Sequence, residues 1–367
     1  MGDSNLPFIL SRWAAAQNRN FHVFSLHQQP RAIMAGGWDL NRHRISTATF
    51  FRWLDLSEGH PITIAIGLRR INVVRVDVLR YAVGSCSGPF IPRDSGKLLE
   101  PGFYGVFLAE SREPFPWPFG MNSKRGMKFQ DLDEFYASYR SPPCLPGVDS
   151  LLRDTENRIP SALAALAVAR DGSKCCMTGR SDLPTTVTWV FPPLAGYNLS
   201  QIDVVVYEDY RVLENLMTIC TTLVAPFHQN SFSVDYEDSQ RVVTFADLPN
   251  DVEEHIAANP GAERFWRLSF AHSLKVHFPG GDPAPDFKGY NVEAWMEELR
   301  ASGPQLDDPK WQTPFGREVL EVHFERQMAV EEDWDWRVRD SDERKRKRRV
   351  VPPTAASDDT GSESESA

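Results

Sequence analysis

The spacing of apolar and polar residues divides the chain before any motif does. Ile62, Ile64, Ile66 and Leu68 alternate with Thr63, Ala65, Gly67 and Arg69, and a period of two predicts a strand with one buried face. Val74, Val76 and Val78 continue the alternation, residues 71–83 are rich in β-branched side chains, and residues 102–108 are short, aromatic and strand-like. Between them, Ser-Cys-Ser-Gly-Pro at 85–89 predicts a break. Residues 1–145 therefore read as a β-rich N-terminal lobe, closed by a short helix over 130–139 and a proline-rich boundary at 141–146.

The period then lengthens. Pro160 suits the first turn of a helix, the run from Ser161 to Arg170 is mostly Ala, Leu and Val, and Asp171-Gly172 ends it in a turn. Residues 202–207 and 232–245 predict strands, the second folded back as a hairpin about 237–239. Past His255, residues 264–274, 291–300 and 316–328 carry apolar side chains at helical spacing. His272 and His277 lie among Leu274, Val276 and Phe278, a pattern that predicts a strand with His277 outward. Asp282 and Asp286 follow, and core or surface histidines are expected there rather than a ligand cluster.

Beyond Val330 the composition shifts. An acidic, Trp-containing stretch precedes six consecutive basic residues, Arg344, Lys345, Arg346, Lys347, Arg348 and Arg349, and acidic serines fill 357–366. So charged a segment buries too little apolar surface to offset the entropy of ordering, which predicts a disordered tail over 331–367. The basic run is a candidate nuclear-import signal, with a solvated charge run as the alternative. Phosphorylation of the neighbouring serines would add negative charge beside it and could mask it.

Composition narrows the function classes. At 367 residues and 41% hydrophobic content the chain can bury a sizeable core. Five cysteines without a paired framework point to a reducing compartment, and neither a signal-peptide pattern nor a membrane-length apolar run is visible, so an intracellular location is expected. The net charge of −10 disfavours a surface built throughout to attract phosphates. Arg52, Arg69, Arg70, Arg75 and Arg80 bunch together, and solvent-facing strand positions are the expected explanation. No phosphate-cradling glycine loop and no serine-hydrolase elbow is present. Cys175 and Cys176 lack the paired spacing of a zinc site, so buried or half-buried free thiols are expected.

One segment carries specific chemistry. Cys175-Cys-Met-Thr-Gly179, then Val187-Thr-Trp-Val-Phe-Pro-Pro193, then Glu214-Asn-Leu-Met-Thr-Ile-Cys-Thr-Thr-Leu-Val-Ala-Pro-Phe-His228 follow in order. This order resembles the HNH nuclease-like domains of fungal protein families. There a Cys-x-x-Thr-Gly turn leads to a strand ending in Ala-His-Ile, followed by Asn-Asn-Leu and a helix start of the form Leu-His-x-x-Phe-Asp. The resemblance implies a ββα-metal core in which one His removes a proton from water and a second His helps to hold a divalent metal. It places Trp189 at the first His position, Asn215 at the central Asn and Val224 at the second His position. Indole offers only an N–H donor and isopropyl no polar atom, so neither task can be done at those positions. Asn215 then reads as a helix end cap or turn residue, and Pro226 as the first turn of the helix. His228, four residues past Val224, is the candidate displaced ligand.

The sequence therefore predicts an α+β fold: the β-rich lobe 1–145, an HNH nuclease-like domain over 150–250, a C-terminal helical region over 251–330, and the tail. The preferred function is a catalytically degenerate HNH-like scaffold with a binding or regulatory role and no cofactor. The alternatives are an active endonuclease using a divalent metal, with nucleic acid as partner, and a nuclear adaptor acting through the tail.

Overall fold

A computed structural model describes residues 8–26, 31–58, 62–115, 157–193, 207–257, 259 and 261–329. The expected helix over 130–139, the boundary at 141–146, residues 202–206 of an expected strand, Cys144 and the charged tail with its basic run lie outside the described residues. The chain forms two compact units, Met1–Lys288 and Gly289–Ala367. The expected divisions near 145 and 250 both fall within the first. The fold is α+β. Among the described residues no helix is long and apolar enough to cross a membrane.

The first unit begins with a closed five-stranded barrel of β1 (Phe21–Ser25), β2 (Arg31–Trp38), β3 (Ile66–Asp77), β4 (Arg80–Pro92) and β5 (Gly102–Leu108), in the order β1-β2-β4-β3-β5. β5 closes the barrel by running parallel to β1, with Phe21 opposite Gly102. Two expectations are corrected here. The strand begins at Ile66 rather than Ile62, and Ile64 is exposed. Residues 85–89 do not break β4, because irregularities in the β3–β4 register between Leu68 and Arg70 and between Asn72 and Val73 absorb the misfit.

The β-rich reading also missed two helices, α1 (Arg12–Ala16) and α2 (Thr47–Glu58). Each has a serine cap: Ser11 Oγ accepts from Ala14 N–H and Ser46 Oγ from Thr49 N–H, both at 3.1 Å. Phe50, Phe51, Trp53, Leu54 and Ser57 form the buried stripe of α2, which joins Phe21, Trp38, Leu68 and Tyr104 of the barrel in one core.

That core continues into later elements. α3 (Ser161–Asp171) starts after Pro160 and ends at Gly172, which takes the left-handed conformation (φ 60°) that its lack of a Cβ allows. A hairpin of β6 (Thr185–Trp189) and β7 (Leu216–Cys220) leads straight into α4 (Thr221–His228). A second hairpin, β8 (Phe232–Asp235) and β9 (Arg241–Thr244), turns at the residues expected. Helix α5 (Glu263–His277) ties these parts together. Its Phe265 and Trp266 pack against the β6–β7 hairpin and α4, while its Phe270 and Leu274 pack against the barrel and α2.

Polar contacts reinforce the junction. Asp235, buried on β8, accepts two hydrogen bonds from Arg52 (2.7 and 2.5 Å) and one from Trp53 Nε1 (2.7 Å), both on α2. Arg52 is thus a helix residue with a structural partner, not a solvent-facing strand position. Arg70 likewise holds Glu100 at 2.8 Å and the Tyr104 hydroxyl at 3.0 Å, and Arg69 Nε reaches the Gly88 carbonyl at 3.3 Å. At the far end of α5, the buried Arg19 donates to the carbonyls of His277, Pro279 and Gly280, supplying donors to a helix C-terminus. Among the described residues no carboxylate pairs with it, and burial lowers its pKa to about 9.

The second unit contains α6 (Val292–Ser302), the single turn α7 (Pro309–Gln312) and α8 (314–329), where the sequence predicts helices over 291–300 and 316–328. Asn291 and Asp308 cap the first two through Ala294 N–H and Lys310 N–H. Trp295, Trp311, Phe315 and Tyr290 make edge and tilted ring contacts at 4.9–5.6 Å, and Lys310 lies 4.9 Å over the Trp311 ring.

Candidate functional site

The β6–β7–α4 segment holds all four residues singled out in the sequence, and strand geometry decides which of them meet. Thr188 stands opposite Met217 and Trp189 opposite Leu216. Successive side chains of a strand point to opposite faces. Met217 and Ile219 pack with Leu223 and Phe227 of α4, whereas Trp189 and Leu216 pack with Ala167 of α3. Trp189 therefore faces away from α4.

Trp189 is fully buried there, with its Nε1 donating to the Asn157 carbonyl at 2.7 Å. Val224, half-buried on α4, packs against the other core cluster. The two positions that the resemblance assigns to the histidines thus lie on opposite sides of the hairpin. Replacing both by His would not bring two imidazoles to one metal in this arrangement.

Asn215 does something other than cap a helix. It closes a short 3-10 turn, Leu213–Asn215, but its side chain reaches across the loop between β6 and β7. Its Oδ1 accepts from Phe191 N–H at 2.9 Å, and its Nδ2 donates to the carbonyls of Phe191 (2.7 Å) and Tyr210 (2.8 Å). With no exposed surface, this amide satisfies three backbone groups that would otherwise be buried without partners. The residue expected to have lost its purpose is the clamp that ties Phe191 to Tyr210.

His228 ends α4, and Pro226 lies inside the helix rather than in its first turn. The His228 Nε2 is 3.2 Å from the Thr188 hydroxyl. Thr188 is the β6 residue that looks toward α4, so Thr188 and His228 are the pair this geometry brings together. A hydroxyl and one imidazole do not make the donor set of a divalent metal site, which takes several nitrogen or carboxylate ligands. Among the described residues no group of three or more His, Cys, Asp or Glu side chains could hold a metal.

The cysteines occupy the edge of the same segment. Cys175 and Cys220 are buried free thiols, with Cys220 N–H donating to Cys175 Sγ at 3.2 Å and Thr178 Oγ1 lying 3.6 Å from Cys220 Sγ. Burial works to raise the Cys175 pKa, but hydrogen bonds from Thr178, Cys220 and the Met177 backbone outweigh it and hold the thiol below its ordinary value. Cys176 is pushed well above it, chiefly by burial.

The second cluster of candidate ligands is dispersed. His272 and His277 lie on α5, not on a strand, and His277 is buried rather than outward, 2.7 Å from the Asn230 carbonyl and 3.1 Å from Gln17 Oε1. Asp286 accepts from Arg12 N–H at 2.7 Å, and Asp282 accepts from Ala284 N–H at 3.1 Å. Two histidines that drew no comment in the sequence are deeply perturbed. Burial, with the Arg19 charge adding to it, lowers the His22 pKa to about 4. Burial, with Arg42, His277 and Arg241 nearby, lowers His43 to about 3. Their imidazoles lie among aromatic rings, His22 beside Phe8 and Phe103, His43 beside Trp38, Trp53 and Phe245. No protein-family model, no curated protein and no solved structure matches this chain.

Proposed function

We propose that the β6–β7–α4 segment is an HNH-type scaffold that has lost its hydrolytic chemistry and serves a binding or regulatory role. One observation carries this reading. The side of the hairpin that faces α4 presents Thr188 and His228, while Trp189 is turned into the opposite core. Nucleic-acid hydrolysis of the HNH kind needs a general base and a metal anchored at the same point, and this pair supplies one imidazole. The strand–strand–helix order, the Cys-x-x-Thr-Gly turn and the Asn215 clamp are what the reading retains of the scaffold.

The competing reading, an active endonuclease, rests on the same imidazole. If His228 is a displaced ligand, purified full-length protein titrated with Zn2+ or Mn2+ should take up one equivalent that His228→Ala does not. The scaffold reading expects no stoichiometric, His228-dependent uptake. Nuclear import through the basic run Arg344 to Arg349 belongs to the proposal at the level of localisation. An unchanged distribution of a fluorescent fusion lacking those six residues would remove that part of it.

A further inference from the structure

Two clefts on the barrel meet along residues 97–101, away from the β6–β7–α4 segment. The larger, of about 500 Å3, lies between this stretch and Leu40, Asn41 and Arg44 of the loop after β2. The smaller, of about 150 Å3, lies on the other side of the stretch against Arg70 and Tyr104. Lys97, Leu98 and Glu100 line both. The larger volume is that of a small-molecule site.

Both walls of the larger cleft are fixed by backbone hydrogen bonds and one half-buried side-chain bond. Thr47 N–H donates to the Lys97 carbonyl at 3.0 Å, Leu99 N–H to the Ile45 carbonyl at 2.9 Å, and Leu40 N–H to Asn20 Oδ1 at 2.8 Å. A ligand entering between them does not have to order the loop first, which removes a cost that weakens binding to flexible surfaces.

The lining carries an excess of positive charge over an aliphatic floor. Glu100, the one carboxylate among the described residues of the lining, is held by Arg70 at 2.8 Å, and Arg70 is itself steadied by the Tyr104 hydroxyl. The larger cleft has two cations: Lys97, whose Nζ lies 3.9 Å from the other Glu100 oxygen, and Arg44, which has no ion-pair partner among the described residues. Leu98 is 51% exposed beside Leu40, Leu99 and Pro101. Among the described residues no aromatic ring lines the larger cleft for a nucleobase to stack on. An aliphatic chain would cover the exposed leucine.

We propose that this cleft binds a small organic anion with an aliphatic body, an acyl carboxylate, whose head sits between Arg44 and Lys97 and whose chain lies along Leu98. The inference is independent of the HNH-like reading and its failure would leave that reading untouched. The probe is octanoate, titrated calorimetrically into the full chain at low ionic strength, where exposed charges are least screened. One saturable site is expected. Butyrate should bind about tenfold more weakly or worse, because each methylene removed from water strengthens binding, and octylammonium should not bind. Arg44→Glu and Lys97→Glu should each weaken octanoate about tenfold while leaving the melting temperature of the unliganded protein unchanged, both side chains being at the surface. Absence of saturable binding, equal binding of octylammonium, indifference to chain length, or unchanged affinity in both charge-reversal variants would each overturn the proposal.

Discussion

Between pH 7 and pH 5 His22 and His43 are together expected to remove about 4 kcal/mol of stability, in equal parts. Both imidazoles are held neutral in the fold, with pKa values of about 4 and about 3 against an ordinary 6.5. Unfolding lets each take a proton near the ordinary value. The unfolded chain therefore binds more protons than the folded one as pH falls below about 6.5. Stability is fully present above that pH and is lost progressively on acidification, until the folded pKa values are passed near 4 and 3. At pH 5 each group costs about 2 kcal/mol, and at pH 4 about 3 kcal/mol. Most carboxylates stay ionised down to pH 5, so the upper part of the window is that of histidines, and substituting His22 and His43 separates these two from the rest. Urea midpoints measured from pH 7 to pH 5 should fall steeply in the wild type. In the double variant His22→Phe, His43→Phe, which keeps aromatic shape among the neighbouring rings, the slope should flatten. A wild-type midpoint that does not move over this range, or a double variant with the wild-type slope, would contradict the assignment.

Substitution of Asn215 by Asp should destabilise the protein by about 4 kcal/mol, at the upper end for a single change. The replacement is isosteric but has no amide donor. It would set a carboxylate against the carbonyls of Phe191 and Tyr210 with no exposed surface through which water could enter. Either the carboxyl takes a proton and keeps one of the two bonds, or the loop opens. Asn215→Ser should be milder, since a small hydroxyl can leave room for a water. Denaturant melts of the three proteins, read with amide exchange of Phe191, would test this. A cost below about 1 kcal/mol for Asn215→Asp would show that the loop does not depend on the clamp.

The sequence carried the elements whose signals are local. Gly102–Leu108 and the β8–β9 hairpin are strands where expected. α3 lies between Pro160 and Gly172 because those residues act on their own backbone. The miss at α2 has a physical cause. Its buried face is built from Phe50, Phe51 and Trp53, side chains that favour strands, so propensity argued against the cap that Ser46 supplied. Packing against the barrel settled the outcome. Ser, Gly and Pro at 85–89 suggest a turn within β4, whereas a barrel strand with bulges tolerates them.

For the proposed site, sequence order says which residues are near along the chain and not how they are arranged. Trp189, Asn215, Val224 and His228 lie on one stretch of chain, but the fold places Trp189 and Val224 in different core clusters. Whether Trp189 faces α3 or α4 depends on the register of β6 against β7, which a single strand of five residues does not declare. The His228 contact to Thr188 joins residues 40 positions apart. The depressed pKa values of His22 and His43 arise chiefly from burial, among rings that include the sequence-distant Phe103 at His22 and Phe245 at His43, and no local pattern announces that.

The central claim is that the α4-facing side of the β6–β7 hairpin cannot assemble a base and a metal anchor. A supercoiled-plasmid nicking assay with Mg2+, Mn2+ or Zn2+, comparing wild type with His228→Ala and with a Thr188→Val control, tests it most directly. The account predicts no metal-dependent cleavage above the background shared by all three proteins. Cleavage by the wild type that needs the metal and disappears in His228→Ala would contradict it.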